Sequence, residues 1–236
     1  MDNTNINDEQ SINTNVNDKE IDTTTTTTKD VTVNYKYGSK LHDASSEGDI
    51  ATISALIEEA GFNVDLLDKR GDTPIIIAAW TNQLESLNFL LANGANVNHQ
   101  SQNKDRYSNR YSCLIIAAMY NRKDMVRLLL QNGADTNLTC RDSRTALSYA
   151  ADNGCVTILK ALLDHKADMN IKCKLKWSPL SYSCHSGRAN CASILLKHGC
   201  EIEDPNEIKN IVQFYVPLQF EEPYLCLLYT SDAADE

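Results

Sequence analysis

The chain has 236 residues, of which 42% are hydrophobic and 23% charged, and its mean hydropathy is −0.39. No apolar run approaches the roughly 20 residues that span a bilayer, and the start, Met1-Asp2-Asn3-Thr4, carries neither a basic nor an apolar leader region, so the composition excludes an integral membrane protein and points to a cytoplasmic or nuclear location. Twenty-two Lys and Arg stand against 32 Asp and Glu, a net charge of −10, which argues against a generic polyanion binder.

Residues 1–37 are rich in Asn, Thr and Asp, with six consecutive threonines at Thr23–Thr28 and only isolated Ile and Val. Such a segment cannot bury enough apolar surface to offset an ordering entropy of roughly 1–2 kcal/mol per residue, and it is expected to be a disordered tail.

From about residue 38 the chain repeats itself. Ala78-Ala79 in TPIIIAAW, Ala117-Ala118 in SCLIIAAM, Ala150-Ala151 in TALSYAAD and Ser183-Cys184 in SPLSYSCH align at spacings of 39, 33 and 33. Each is followed by an apolar cluster and, in most units, by a glycine, as in Leu128-Leu129-Leu130 to Gly133. A degenerate leading unit runs from Lys40 through Leu56-Ile57 to Gly61. Five units are read, at about 38–69, 70–108, 109–141, 142–174 and 175–203.

Each unit encodes a pair of short helices. Thr73-Pro74 and Ser178-Pro179 place a hydroxyl acceptor at the N-cap and Pro at the first helical position, where its missing N–H is not needed. Six to eight residues later stand Gly48, Asn82, Asn121, Gly154 and Gly187, residue types that tolerate a left-handed turn. A second helix follows, with Met125, Val126, Leu128, Leu129 and Leu130 as one example, and Gly94, Gly133 and Gly199 end it. Lys166 holds that place in the fourth unit, where a left-handed backbone costs on the order of 1 kcal/mol. The small Ala pair lets antiparallel helices approach closely, but one such pair cannot bury its apolar face alone, so neighbouring units must stack.

The cysteines, Cys113, Cys140, Cys155, Cys173, Cys184, Cys191, Cys200 and Cys226, never fall in C-x-x-C spacing. They read as free thiols, with no structural zinc and no cofactor expected. Phosphate-loop, zinc-helix and nucleophile-elbow signatures are missing, and the five histidines are scattered over four units. The Cys184 and His185 neighbours read as a buried inert thiol beside an unrelated ring rather than as a catalytic pair. No enzyme is expected from the repeats.

TPIIIAAW with LLANGANVN at Leu90–Asn98, and SCLIIAAM with LLLQNGADTN at Leu128–Asn137, resemble ankyrin repeats, whose period is 33 and whose signature includes T-P-L-H-x-A. The resemblance covers about residues 38–203. It departs from the signature at the histidine, replaced by Ile76, Ile115, Ser148 and Ser181 and surviving as His42, which reads as a structural residue bonding within a turn. The resemblance implies an all-α ankyrin-repeat solenoid of about five helix-turn-helix units joined by β-hairpin fingers. It places the six extra residues between Asn98 and Tyr111 in the finger joining units two and three, where they lengthen a loop without disturbing the stack and either contact a partner or are simply tolerated.

After the last unit, Asp204-Pro205-Asn206-Glu207 starts a helix strongly, with Ile208, Ile211, Val212 and Tyr215 on one face. A capping helix over 204–216 is expected, a sixth repeat being the alternative, followed by an irregular tail over 217–236. Within it Cys226–Glu236, CLLYTSDAADE, resembles the translation of a sequencing adaptor, so the natural C-terminus is not fixed by this stretch.

Relatives of this kind bind protein partners on the concave face formed by finger tips and inner-helix ends, and the local charge is informative there. Residues 38–200 carry 18 basic and 16 acidic side chains. Lys104, Arg106 and Arg110, then Arg141 and Arg144, then Lys172, Lys174 and Lys176 leave the last three fingers with a net +6. Aromatic residues lie among these charges. The candidate partner-binding set is Trp80, Tyr107, Arg110, Tyr111, Tyr120, Arg141, Arg144, Lys174, Lys176 and Trp177, because aromatic and Arg side chains are the usual interface anchors. The function expected is a monomeric, non-catalytic adaptor or scaffold for a protein with an acidic, partly apolar segment. The alternative is the targeting module of a larger enzyme, such as a kinase or ubiquitin ligase. Nucleic acid is disfavoured as a partner, because the repeats carry only +2.

Overall fold

A computed structural model describes residues 35–101 and 109–202, with side chains from residue 40 onward. The stretch 1–34, the expected capping helix and irregular tail, and Tyr107 lie outside the described residues. Helix α1, Tyr35–Glu47, begins inside the segment expected to be tail, since once the turns after Lys40 are packed, adding a residue at the helix end is inexpensive.

Five antiparallel helix pairs follow one another. Helix α1 pairs with α2 (Ile50–Ser54), which continues as a π-helical turn over Ala55–Glu59. Then come α3 (Pro74–Thr81) with α4 (Leu84–Ala92), and α5 (Cys113–Met119) with α6 (Lys123–Gln131). Helix α7 (Ala146–Asn153) pairs with α8 (Val156–Asp164), and α9 (Pro179–His185) with α10 (Ala189–Lys197).

The starting hydroxyls behave as expected, with one exception. Ser112, Thr145 and Ser178 each accept the backbone N–H three residues on, satisfying a donor that a helix start leaves open. Thr73 has the extended backbone of an N-cap and Pro74 after it, but makes no cap bond, and its buried Oγ1 is without a partner; nothing in the structure explains this. The stops are as the residue types dictate. Asn82 and Asn121 have φ of 63° and 56°, Gly154 has 75°, and Lys166 takes the left-handed conformation of its missing glycine at 63°.

Inner helices α1, α3, α5, α7 and α9 pack in series, and outer helices α2, α4, α6, α8 and α10 form a second layer. The paired alanines at 78–79, 117–118 and 150–151 are fully buried, as is Ser183, with Cys184 nearly so. One continuous core runs from Leu41 to Leu196, which is how helices of seven to nine residues, unstable alone, persist.

Two polar ladders lock the units in register. Asp65 accepts the N–H of Asn96, Asn98 that of Asp135, Asn137 that of Asp168, and Asn170 that of Glu201, at 2.8–3.2 Å. At the other end of the pairs, helix-terminal carbonyls are capped from the following unit. Gln83 donates to Ser46 O, Arg122 to Ala79 O and Trp80 O, and Arg188 to Asp152 O. The corresponding residue in the fourth unit, Cys155, is too short, and Asn153 donates to Met119 O instead. Gly154 serves this arrangement twice: a Cβ there would meet Arg188 Cδ at 2.9 Å, closing the path to Asp152.

Three of the connections between units are tight turns, and the expected β-hairpin fingers do not appear as strands among the described residues. Asp68–Asp72, Cys140–Arg144 and Cys173–Trp177 each close with two backbone hydrogen bonds of 2.9–3.0 Å. Beyond those closing bonds the arms of each turn form no ladder among the described residues. Among the described residues the pairing is an isolated antiparallel bridge, Gln100 with Ser112. His42 plays a structural part: its Nε2 reaches across to Asp72 O at 2.9 Å, tying unit one to the next turn.

Candidate functional site

The turns and inner-helix ends share one face, and the 33-residue register brings their rings together there. Tyr111 follows the second turn, edge to face with Trp80 at 5.7 Å and with Tyr149 at 6.3 Å. Trp80 in turn meets Tyr120 at 5.9 Å, over which the Arg122 guanidinium lies at 4.9 Å. One turn along, the Arg144 guanidinium sits 4.0 Å from the ring centroids of both Tyr149 and Tyr182. Tyr182 meets Trp177 at 5.3 Å, and Trp177 meets His185 at 4.7 Å. The result is an unbroken row of rings and guanidiniums from unit two to unit five.

Arg144 anchors the centre of this row. Its Nη2 donates to Asp152 Oδ2 at 2.6 Å, with only 17% of the Arg side chain and 29% of the Asp side chain exposed, while Ser186 Oγ donates to Asp152 Oδ1 at 2.5 Å. Burial pushes the Tyr149 and Tyr182 phenols above their ordinary range, reinforced by Tyr111 beside Tyr149 and by Cys173 beside Tyr182. The phenols therefore stay neutral and present π faces to Arg144.

The expected site residues thus fall into two groups. Trp80, Tyr111, Tyr120, Arg144 and Trp177 belong to the row; Tyr120 is 53% exposed, whereas Trp80, Tyr111 and Trp177 are half-buried. Arg110, Arg141, Lys174 and Lys176 are exposed on the turn tips. Arg144 is committed within the molecule through its half-buried pair with Asp152, although sequence reasoning grouped it with the tip residues. Sequence reasoning missed Tyr149, Tyr182, Asp152 and His185. Tyr149 and Tyr182 are 33 residues apart, as are Arg144 and Trp177, and that shared register was the available signal.

The tips are themselves joined. Arg141 N donates to Asn109 O at 2.8 Å and Lys174 N to Asp142 O at 3.0 Å. Arg110, Ser143 and Lys176 occupy one register place and share a left-handed backbone, with φ of 51°, 61° and 68°. Gln100 braces the second turn, donating to Thr139 O and Arg110 O and accepting from Arg110 Nη2.

A family model described as ankyrin repeats in three copies matches residues 16–101, 98–173 and 114–206. The chain belongs to the ankyrin repeat family. It is also 33% identical over 69 residues to the ankyrin repeat protein FPV240 of fowlpox virus (strain NVSL), a stretch covering 29% of this chain and 16% of that relative. Ankyrin repeats are generally non-catalytic protein–protein interaction modules. Among the described residues no helix is long and apolar enough to cross a membrane, and no group of three or more His, Cys, Asp or Glu is placed to hold a metal ion.

Three of the thiols are unsuited to nucleophilic work. Burial pushes Cys113 and Cys155 above the ordinary thiol range and Cys191 up to about 11, so they remain protonated at neutral pH. Burial likewise raises the Asp72 carboxyl, against the Ser101 hydroxyl that favours its charged form.

Proposed function

We propose that this ankyrin chain is a non-catalytic adaptor or scaffold, working as a monomer in the cytoplasm or nucleus. Its partner is another protein, one of whose segments is acidic and partly apolar and lies along the concave face of turns and inner helices. The observation that carries this reading is the row from Tyr120 to His185 running beside tips that bear Arg110, Arg141, Lys174 and Lys176. Fixed rings bury area at small entropic cost, and the cations beside them select for carboxylates. Trp80 and Tyr120 would take the apolar part and the tip cations the acidic part. Tyr111, Arg144 and Trp177 would act by holding the row rigid. Nucleic acid fits less well, because a net +2 over the repeats offers little counterion release.

The test is affinity capture with the full chain, comparing wild type with Arg141→Glu/Lys174→Glu and with Tyr120→Ala. A partner retained by wild type and lost from both variants supports the reading. A partner whose retention neither substitution changes would remove this face from the assignment.

A further inference from the structure

Among the described residues the tips of units three to five form a series with an open member. The second turn supplies Asn109 O to Arg141 N, and the third supplies Asp142 O to Lys174 N. Donor and acceptor each advance by 33 residues, so Leu175 O on the last described turn is the next acceptor in the series. The side chain of that residue has unusual exposure for its chemistry. Leu175 is 72% exposed, the most exposed large apolar side chain among the described residues, and both neighbours, Lys174 and Lys176, are exposed cations. Neither lysine takes part in the ion pairs found among the described residues, Arg127 with Asp124 and Arg144 with Asp152. The left-handed Lys176 and the bond from its N–H to Cys173 O fix the turn, so the carbonyl and the points from which the two lysine side chains leave the backbone are pre-positioned.

We propose that this last turn is an edge to which a partner protein adds an extended acidic segment. A backbone N–H of the segment donates to Leu175 O, an apolar side chain packs on Leu175, and carboxylates on alternate residues meet Lys174 and Lys176. Edge addition draws affinity from main-chain bonds and selectivity from alternate side chains, and here the main-chain bond continues one the protein already makes twice. The proposal rests on reading the chain as an interaction module and specifies the chemistry of the partner at one end of its face.

The experiment uses the full chain and a fluorescein-labelled ten-residue peptide of alternating glutamate and valine, followed by fluorescence anisotropy. Wild type is expected to bind with an affinity that falls as salt rises, and Lys174→Glu/Lys176→Glu to weaken binding about tenfold or more, from two reversed charge pairs. Leu175→Asp is expected to weaken it further, and an N-methylated form of the peptide to bind poorly because it lacks the donor. Equal affinity of the N-methylated peptide, or of the double lysine variant, would overturn the proposal. So would the absence of binding to wild type. Peptide binding that emerges only after Glu203, Asp204 and Glu207 are changed to Gln would overturn it too, assigning the edge to the chain's own acidic segment. A captured partner that depends on Tyr120 but ignores Lys174, Leu175 and Lys176 would defeat the edge alone and leave the module reading intact.

Discussion

Replacing Arg144 by Met tests whether the ring row is held together by its guanidinium. Met keeps most of the apolar stem but loses the cation between Tyr149 and Tyr182, each 4.0 Å away, and the 2.6 Å bond to Asp152. Two cation–π contacts at this depth are worth about 0.5–2 kcal/mol each, and a hydrogen bond between charged groups about 1.5–3 kcal/mol. Against these stand the regained side-chain freedom, about 1–2 kcal/mol, and relief of the buried Arg144 Nε, which has no partner. A net loss of about 2–3 kcal/mol follows, which at about 2–4 °C per kcal/mol for a domain of this size lowers Tm by about 4–12 °C. Arg144→Lys keeps the charge without the plane, and about half of that loss is expected from it. Urea and thermal unfolding of the full chain, followed by circular dichroism, give the values, with Asp152→Asn closing a double-mutant cycle. A folded Arg144→Met protein within about 0.5 kcal/mol of wild type would refute the reasoning, because that is what an ordinary surface substitution costs.

Three further outcomes follow from other parts of the stack. Asn137→Ala removes the acceptor for Asp168 N and is expected to cost about 1 kcal/mol, with the Asp168 amide exchanging faster in hydrogen-exchange measurements; an unchanged amide would count against the ladder. Lys166→Gly relieves a left-handed backbone at φ 63° and is expected to raise stability by up to about 1 kcal/mol in urea, less the added freedom of the unfolded glycine. The thiol of Cys191, raised to about 11, should alkylate slowly with iodoacetamide at pH 8 and faster as pH climbs toward that value. Because the folded state holds this proton more tightly than the unfolded one, its linked stability is intact below about pH 8.5 and declines as pH rises toward the folded value. Rapid alkylation at pH 7 under native conditions would show the burial to be wrong.

The helical scaffold was legible because its signals are local. Thr73-Pro74, Ser178-Pro179, the Ala pairs and the left-handed Asn, Gly and Lys166 positions each fix a short stretch of backbone, and the repeat carries the result along the chain. The connections were less legible. The resemblance supplied β-hairpins, but whether two arms form strands depends on how many backbone pairs they can make, and these turns make one closing set each. The candidate site was legible in composition and not in arrangement. Counting charge by segment grouped Arg144 with Arg141, yet the alternation of the turn sends one into the row and leaves the other outside. Tyr149 and Tyr182 escaped notice because they lie on inner helices, where a ring reads as core until the neighbouring unit's turn is placed over it.

Among the described residues the inner-helix end caps run one way: Gln83, Arg122, Asn153 and Arg188 reach back to carbonyls of the unit before them. During synthesis each unit therefore leaves the ribosome with its inner-helix carbonyls unsealed until its successor emerges, so these seals become available only in the order of translation. Fraying from the C-terminal side would run the same sequence in reverse, stripping a seal with every unit lost.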